Sequence, residues 1–189
     1  MTNFDLLNTS ASKAAILLLG CELERNLNGQ VLRGRIVETE AYDQMDSASH
    51  SFRGKTQRTE VMFGQAGYLY VYFTYGMHYC SNVVVGPEGY GAAVLIRAIQ
   101  PLSGLGQMMQ RRNNIQGPNL TNGPAKLCQA LEINAKLNGH FLSESPLKLI
   151  IKPKSSSKDI ISTTRIGISK AKYLNLRFYL KDNPYISKT

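Results

Sequence analysis

The sequence predicts an α+β fold: a single domain over residues 1–189, with a curved, largely antiparallel β-sheet flanked by helices. Three observations carry that expectation. Asn28-Gly29 lies between two extended runs, the strongest short-range hairpin signal, because both residues tolerate the positive φ of a tight primed turn. From Gly67 to Ile99, β-branched and aromatic runs follow one another with Gly- and Pro-containing turns between them. Helical stretches at 11–20, 101–112 and 123–131 are short and scattered among the strands, as in a mixed fold.

With 189 residues, 43% of them hydrophobic, the chain can build an ordinary core. Its formal net charge of +9 points to a polyanion, nucleic acid or anionic membrane. No apolar run is long enough to span a bilayer. Cys21, Cys80 and Cys128 are odd in number and widely spaced, and His50, His78 and His140 do not sit at zinc-ligand spacing with them. No metal, no cofactor and a reducing compartment (cytoplasm, or nucleus in a eukaryote) are therefore expected. Leu18-Leu19-Gly20-Cys21 mimics a lipoprotein cleavage box. The apolar stretch before it is short and Asp5 precedes it, so a helix capped by Ser10 or Ser12 is the reading preferred to a signal peptide.

Taken in order, a helix over 11–20 leads to a strand over Cys21–Leu27, the Asn28-Gly29 turn and a return strand over Gln30–Tyr42. Residues 43–60 are polar and irregular, too long for an inert connection, and suggest a binding loop. Arg53, Lys55 and Arg58 within it are candidate phosphate contacts. Gly67–Tyr75 reads as a strand with Tyr68, Tyr70 and Tyr72 on one face and Leu69, Val71 and Phe73 on the core face. Tyr68 and Tyr70 are taken as structural. Tyr75 and Met77 flank Gly76 in a turn, where exposed apolar side chains can wedge between bases. Tyr79–Val85 and Ala92–Ile99 are further strands, joined by a glycine-rich hairpin. Pro101–Arg112 is expected as a helix with Pro in its first turn, and a second helix opens at Gly123-Pro124. Lys126 at that helix start is a further candidate for a phosphate. Pro146–Ile151 and Asp159–Ile168 are expected strands, joined through a basic hairpin tip at Lys152–Lys158. Leu176–Leu180 is the last strand, and the residues after Asn183 are expected to fray.

The stretch that organises this reading is Val31–Tyr42, where Ile36, Glu38, Glu40 and Tyr42 share one face under strict alternation. Two acids on one face of a strand need water, a cation or a substrate opposite them. Arg97, embedded in Val-Leu-Ile-Arg-Ala-Ile, either pairs with Glu38 or Glu40 or snorkels at a strand end.

Arg35-Ile-Val-Glu-Thr-Glu-Ala-Tyr42, Gly67-Tyr-Leu-Tyr-Val-Tyr-Phe-Thr-Tyr-Gly-Met77 and Gly123-Pro-Ala-Lys-Leu-Cys-Gln-Ala-Leu131 together resemble the alkyladenine (3-methyladenine) DNA glycosylase family. The likeness runs from the first helix to about Gly167. It implies an enzyme that flips a damaged purine out of duplex DNA and hydrolyses its N-glycosidic bond without cutting the strand. By motif position the resemblance makes Glu40 the general base and Arg97 its partner in holding the attacking water. Tyr42, His50, Tyr72 and Asn82 would line the base pocket, and Tyr75, with Met77 beside it, would fill the gap left by the flipped nucleotide. After Ile168 the family's Gly-Glu-containing turn is replaced by Ser169-Lys-Ala-Lys-Tyr-Leu-Asn175.

Those assignments agree with the chemistry of the residues. A weakly paired, damaged base costs least to flip. A cationic alkylated purine between tyrosine rings gains about 0.5–2 kcal/mol over a neutral one. An ionised Glu40 beside Arg97 suits an oxocarbenium-like sugar. Glu38 comes from the same strand as Glu40, whereas paired glycosidase acids flank the bond, so it is assigned either a structural role or one of supporting the groups that touch the substrate. No lysine is expected in the cluster for a Schiff base. The expected partner is double-stranded DNA carrying damaged purines, with no membrane and a monomeric protein. The rival readings are a hydrolase of another N-glycosidic bond and a non-catalytic DNA-binding relative.

Overall fold

The computed structural model describes residues 3–74, 76–153 and 155–187. Helix α1 (Ala11–Leu18) buries Ala11, Ala14, Ala15 and Leu18, small side chains that let it lie close to the sheet. Strands β1 (Glu22–Leu27) and β2 (Gln30–Tyr42) follow. Asn28 and Gly29 between them have φ of 52° and 86°, the tight turn expected from the sequence, and Leu27 pairs with Gln30. The remaining elements are β3 (Leu69–Thr74), β4 (His78–Val84), β5 (Ala93–Ser103), α2 (Leu105–Arg111), α3 (Pro124–Ala130), β6 (Leu147–Ile150), β7 (Ile160–Thr163) and β8 (Arg177–Leu180).

The eight strands form one sheet with a main path of β3-β4-β5-β2-β1-β6, and every pairing is antiparallel. The α+β class is thus the one the sequence predicts. β2 holds the sheet together. One of its edges pairs with β5 from Arg33 to Tyr42, while the other is shared between β1, up to Arg35, and β8, at Glu38–Glu40. All three helices contribute to one large apolar cluster that includes Ala14, Leu18, Leu32, Val94, Met108, Leu127 and Ala130. Burying each large aliphatic side chain there contributes about 1.5–3 kcal/mol. A smaller cluster of Met62, Tyr70, Val84 and Ala93 lies on the opposite face, since Tyr70 alternates with the main-cluster residues Leu69 and Val71.

An irregularity shared by β2 and β5 decides what faces that second side. Ile36 pairs with Ile99 and Glu38 with Ala98, but Thr39 pairs with Ile96, so Val37 on one strand and Arg97 on the other are extra residues. A bulge of this kind re-aims side chains, and here both strands change parity. Leu32 and Ile36 join the main cluster before it, and Ala41 joins after it. Thr39 Oγ1 donates to the Ala15 carbonyl at 3.0 Å. Ile36 therefore does not share a face with the acids, as uninterrupted alternation would require. Glu38, Glu40 and Tyr42 are turned the other way, together with Arg97.

Four further expectations are corrected. Pro101 is not in a helix: β5 continues to Ser103, and α2 starts only after Gly104, at φ 76°. β4 pairs only with Ala93–Leu95, so Pro101 lies beyond that partner, and a missing N–H is tolerated at such an edge. β6 and β7 are not the two arms of a hairpin, as expected through Lys152–Lys158, because β6 pairs with β1 and β7 with β8. β7 ends at Thr163 rather than Ile168 because Arg165 turns inward, where its Nη1 donates to the Ala41 carbonyl at 2.9 Å and pairs with Asp46. Residues 184–187, expected to fray, are docked through Ser187, which is 7% exposed.

Candidate active site

The residues turned away from the main core line a cavity of about 560 Å³, within the usual range for a small-molecule site. β2 supplies Glu40 and Tyr42, β3 supplies Tyr70 and Tyr72, β4 supplies Cys80 and Asn82, and β5 supplies Leu95 and Arg97. The irregular segment after β2 closes one side with Ser47–His50 and Arg53, and residues 166–170 close another.

Glu40 is 0% exposed, and donors reach it from three elements. Arg97 Nη1 lies 3.3 Å from Oε1, the Ile166 main-chain N–H donates to Oε1 at 2.9 Å, and the Tyr42 hydroxyl donates to Oε2 at 2.9 Å. Burial, then the Glu40 charge, raise the Tyr42 phenol above the ordinary tyrosine value, so it serves as a donor. The Arg165 guanidinium lies 4.7 Å from the centre of the Tyr42 ring. Arg165 is itself buried, and its Nε and Nη2 have no hydrogen-bond partner, which leaves the ring face and Asp46 to offset its charge.

Arg97 is paired, not snorkelling. Its Nε lies 3.3 Å from Glu38 Oε1 while Nη1 faces Glu40. Glu38 is fully buried and also receives Arg177 Nε at 2.6 Å and the Ser187 N–H at 2.6 Å. Two arginines and a main-chain donor thus converge on this buried carboxylate and offset the cost of its charge.

On the aromatic side, His50 Nδ1 lies 3.0 Å from the Tyr70 hydroxyl, and its ring meets Tyr72 edge-on at 4.6 Å. His50 is an exposed residue, but its ring packs against Tyr70 and Tyr72, and this partial withdrawal from water, then the Arg58 charge, lower its pKa. The Asn82 amide donates to the Tyr70 carbonyl at 3.1 Å. Burial raises the Cys80 thiol.

All six residues expected for catalysis and the base pocket, Glu40, Arg97, Tyr42, His50, Tyr72 and Asn82, thus line one cavity. Of the proposed phosphate contacts, Arg53 reaches its lining, Lys55 is exposed, and Arg58 stands 5.7 Å over the Tyr72 ring. Lys126 is half-buried, with Nζ donating to Asn122 at 2.7 Å near the start of α3. Met77 is 69% exposed beside Gly76 in the β3–β4 turn, and Tyr75 lies outside the described residues.

Sequence reasoning misses several participants. Tyr70 lines the cavity and bonds His50, although its sequence setting suggests a structural role alone. Lys170, which the sequence reading did not single out, also lines the cavity; it is exposed, where a cation suits a phosphate. The resemblance points to a main-chain carbonyl near Ile168, whereas the group that reaches Glu40 is the Ile166 N–H; Arg177 has no sequence signal, because Glu38 lies more than a hundred positions away. Among the described residues, no group of three or more His, Cys, Asp or Glu is placed to hold a metal ion, and no helix is long and apolar enough to cross a membrane.

A sequence profile described as methylpurine-DNA glycosylase (MPG) matches residues 5–184. The chain belongs to the methylpurine-DNA glycosylase family. Relatives carry the name "Putative 3-methyladenine DNA glycosylase". One from Carboxydothermus hydrogenoformans is 54% identical over 172 residues, 90% of each chain. One from Methanoculleus marisnigri is 49% identical over 174 residues, again 90% of each. One from Francisella tularensis is 46% identical over 192 residues, all of both chains. Membership of the methylpurine-DNA glycosylase family matches the resemblance read from the three sequence motifs.

Proposed function

We propose that the protein excises damaged purines from duplex DNA by monofunctional hydrolysis of the N-glycosidic bond. The observation that carries this reading is the convergence of Glu40 and Arg97 at the wall of a cavity otherwise lined by Tyr42, Tyr72 and His50. A flipped purine fits the aromatic side, and its sugar then meets the carboxylate.

Glu40 takes a proton from water as the water oxygen bonds to the sugar C1′ carbon. The C1′–N bond breaks and its electron pair leaves with the base, which neutralises the positive charge of an alkylated purine. Arg97 orients the water and Glu40 together, and the carboxylate stabilises the positive sugar that develops. Tyr42 and Tyr72 offer electron-rich faces to the base, Asn82 stands at the pocket wall against normal purines, and His50 contacts the base edge. Tyr75, with Met77 beside it, fills the stack from which the nucleotide has left. Lys170, at the rim in water, contacts a phosphate and forms no Schiff base, so the product is an intact strand with an abasic site.

Incubation with methylated duplex DNA, followed by chromatography of released bases, tests the reading. Release of methylpurines without strand breaks is expected, with little release from free nucleosides. Equal activity on free nucleosides, or bases released only with strand cleavage, would favour another glycosidic hydrolase.

A further inference from the structure

Glu38 and Glu40 compete for one guanidinium. Arg97 stands 3.3 Å from a carboxylate oxygen of each. An arginine and a carboxylate left to themselves settle into a two-bond fork, the strongest arrangement open to them. Arg97 does not do so with Glu38, and its buried Nε makes no hydrogen bond in spite of that proximity.

The reason lies in residues that the site does not otherwise use. Glu38 Oε1 accepts from Arg177 Nε at 2.6 Å, and Glu38 Oε2 accepts from the main-chain N–H of Ser187 at 2.6 Å. Arg177 Nη2 in turn donates to the Ser187 carbonyl at 3.1 Å, so β8 and the segment after it close a ring around the Glu38 carboxylate. The segment is held independently of Glu38 as well: Asn183 Nδ2 donates to Gln100 Oε1 at 3.0 Å, and Tyr185 N–H donates to Asn183 Oδ1 at 2.9 Å.

We propose that the main chain of Ser187, with Arg177, is a positioning device for the reaction: by occupying Glu38, it keeps the Arg97 guanidinium available to Glu40 and to the water between them. Ser187 acts through its N–H and carbonyl; its hydroxyl is buried and has no hydrogen-bond partner. Without the Ser187 N–H, Glu38 Oε2 is a buried acceptor with an open site, and Arg97, whose Nε already stands 3.3 Å from Glu38 Oε1 without a hydrogen bond, can turn to fill it. That movement draws Nη1 away from Glu40. The proposal rests on Glu40 and Arg97 being the catalytic pair.

The test compares four proteins in single-turnover release of bases from methylated duplex DNA, with binding to the same duplex measured in parallel. Ser187→Pro removes the N–H while also fixing φ, and Ser187→Ala keeps the N–H and removes only the hydroxyl. A chain ending at Asn183 removes the whole segment, and Glu40→Gln reports on the catalytic pair. Rates are normalised to the folded fraction from melting curves, so a variant that folds poorly is still informative. Ser187→Pro and the shortened chain are expected to lose roughly 10- to 100-fold in rate, the scale of a misplaced catalytic group, with affinity for DNA unchanged. Ser187→Ala is expected to retain the rate, which a requirement for the side chain would not allow. Full rates in both Ser187→Pro and the shortened chain, with Glu40→Gln inactive, would overturn the positioning role and leave the proposed function standing. Full activity of Glu40→Gln would overturn the proposed function, and the positioning role with it.

Discussion

Glu40 and His50 show how single side chains set the conditions at this site. Glu40 is reached by donors from Arg97, Tyr42 and the Ile166 main chain, which fix both of its oxygens. His50 is held differently. Withdrawal of its ring from water and the neighbouring Arg58 charge lower its pKa from 6.5, so the folded protein takes up the proton less readily than the unfolded chain. Stability associated with His50 is therefore complete above the ordinary histidine value and declines as pH falls below it toward the folded value. Melting temperatures at pH 7.5 and pH 5 should fall further in the wild type than in His50→Gln. An identical pH dependence in the two proteins would contradict a neutral His50.

At the scale of elements, the site depends on an irregular segment being held as firmly as a strand. Tyr90 donates to Asp43, the Gly91 N–H donates to Gln44 Oε1 at 2.8 Å, and Ser51 Oγ donates to the Gly91 carbonyl at 2.7 Å. These bonds fasten the loop that carries His50 and Arg53 to the β4–β5 connection. Gly91 permits the approach, because a Cβ there would stand 2.6 Å from Ser51 Cβ and 2.7 Å from Phe63 Cζ. Gly91→Ala should cost about 1–3 kcal/mol by overpacking, read in urea unfolding, and should weaken lesion binding as the loop is displaced. Unchanged stability would show that the loop can give way. How legible such elements are in sequence depends on the range of the forces that set them. The bounds of β2, Gln30 to Tyr42, are legible because its turn chemistry and apolar pattern are local. The Val37–Arg97 irregularity, the extension of β5 through Pro101 and the docking of Ser187 are not, since each is decided by a partner far along the chain. Glu40, Arg97, Tyr42, His50, Tyr72 and Asn82 are legible through motif resemblance; Tyr70 and Lys170 on the same lining, and the Arg177 support behind it, carry no comparable pattern.

For the molecule as a whole, a net charge of +9 and a cavity with Arg53 and Lys170 on its lining fit a site approached along a polyanion. Affinity for lesion duplexes should fall with salt. Neutralising Arg53, Lys55 and Arg58 together should reduce the slope of log K against log salt by roughly 0.9 for each DNA phosphate they pair with. An unchanged slope would remove those three side chains from the backbone interface. The proposed chemistry finally depends on one carboxylate, and the measurement that reaches it most directly is single-turnover base release by Glu40→Gln beside its affinity for the same damaged duplex. Release slower by about 100- to 10,000-fold, the range for losing a general base, with affinity retained, is the expected result. Release at the wild-type rate would contradict it.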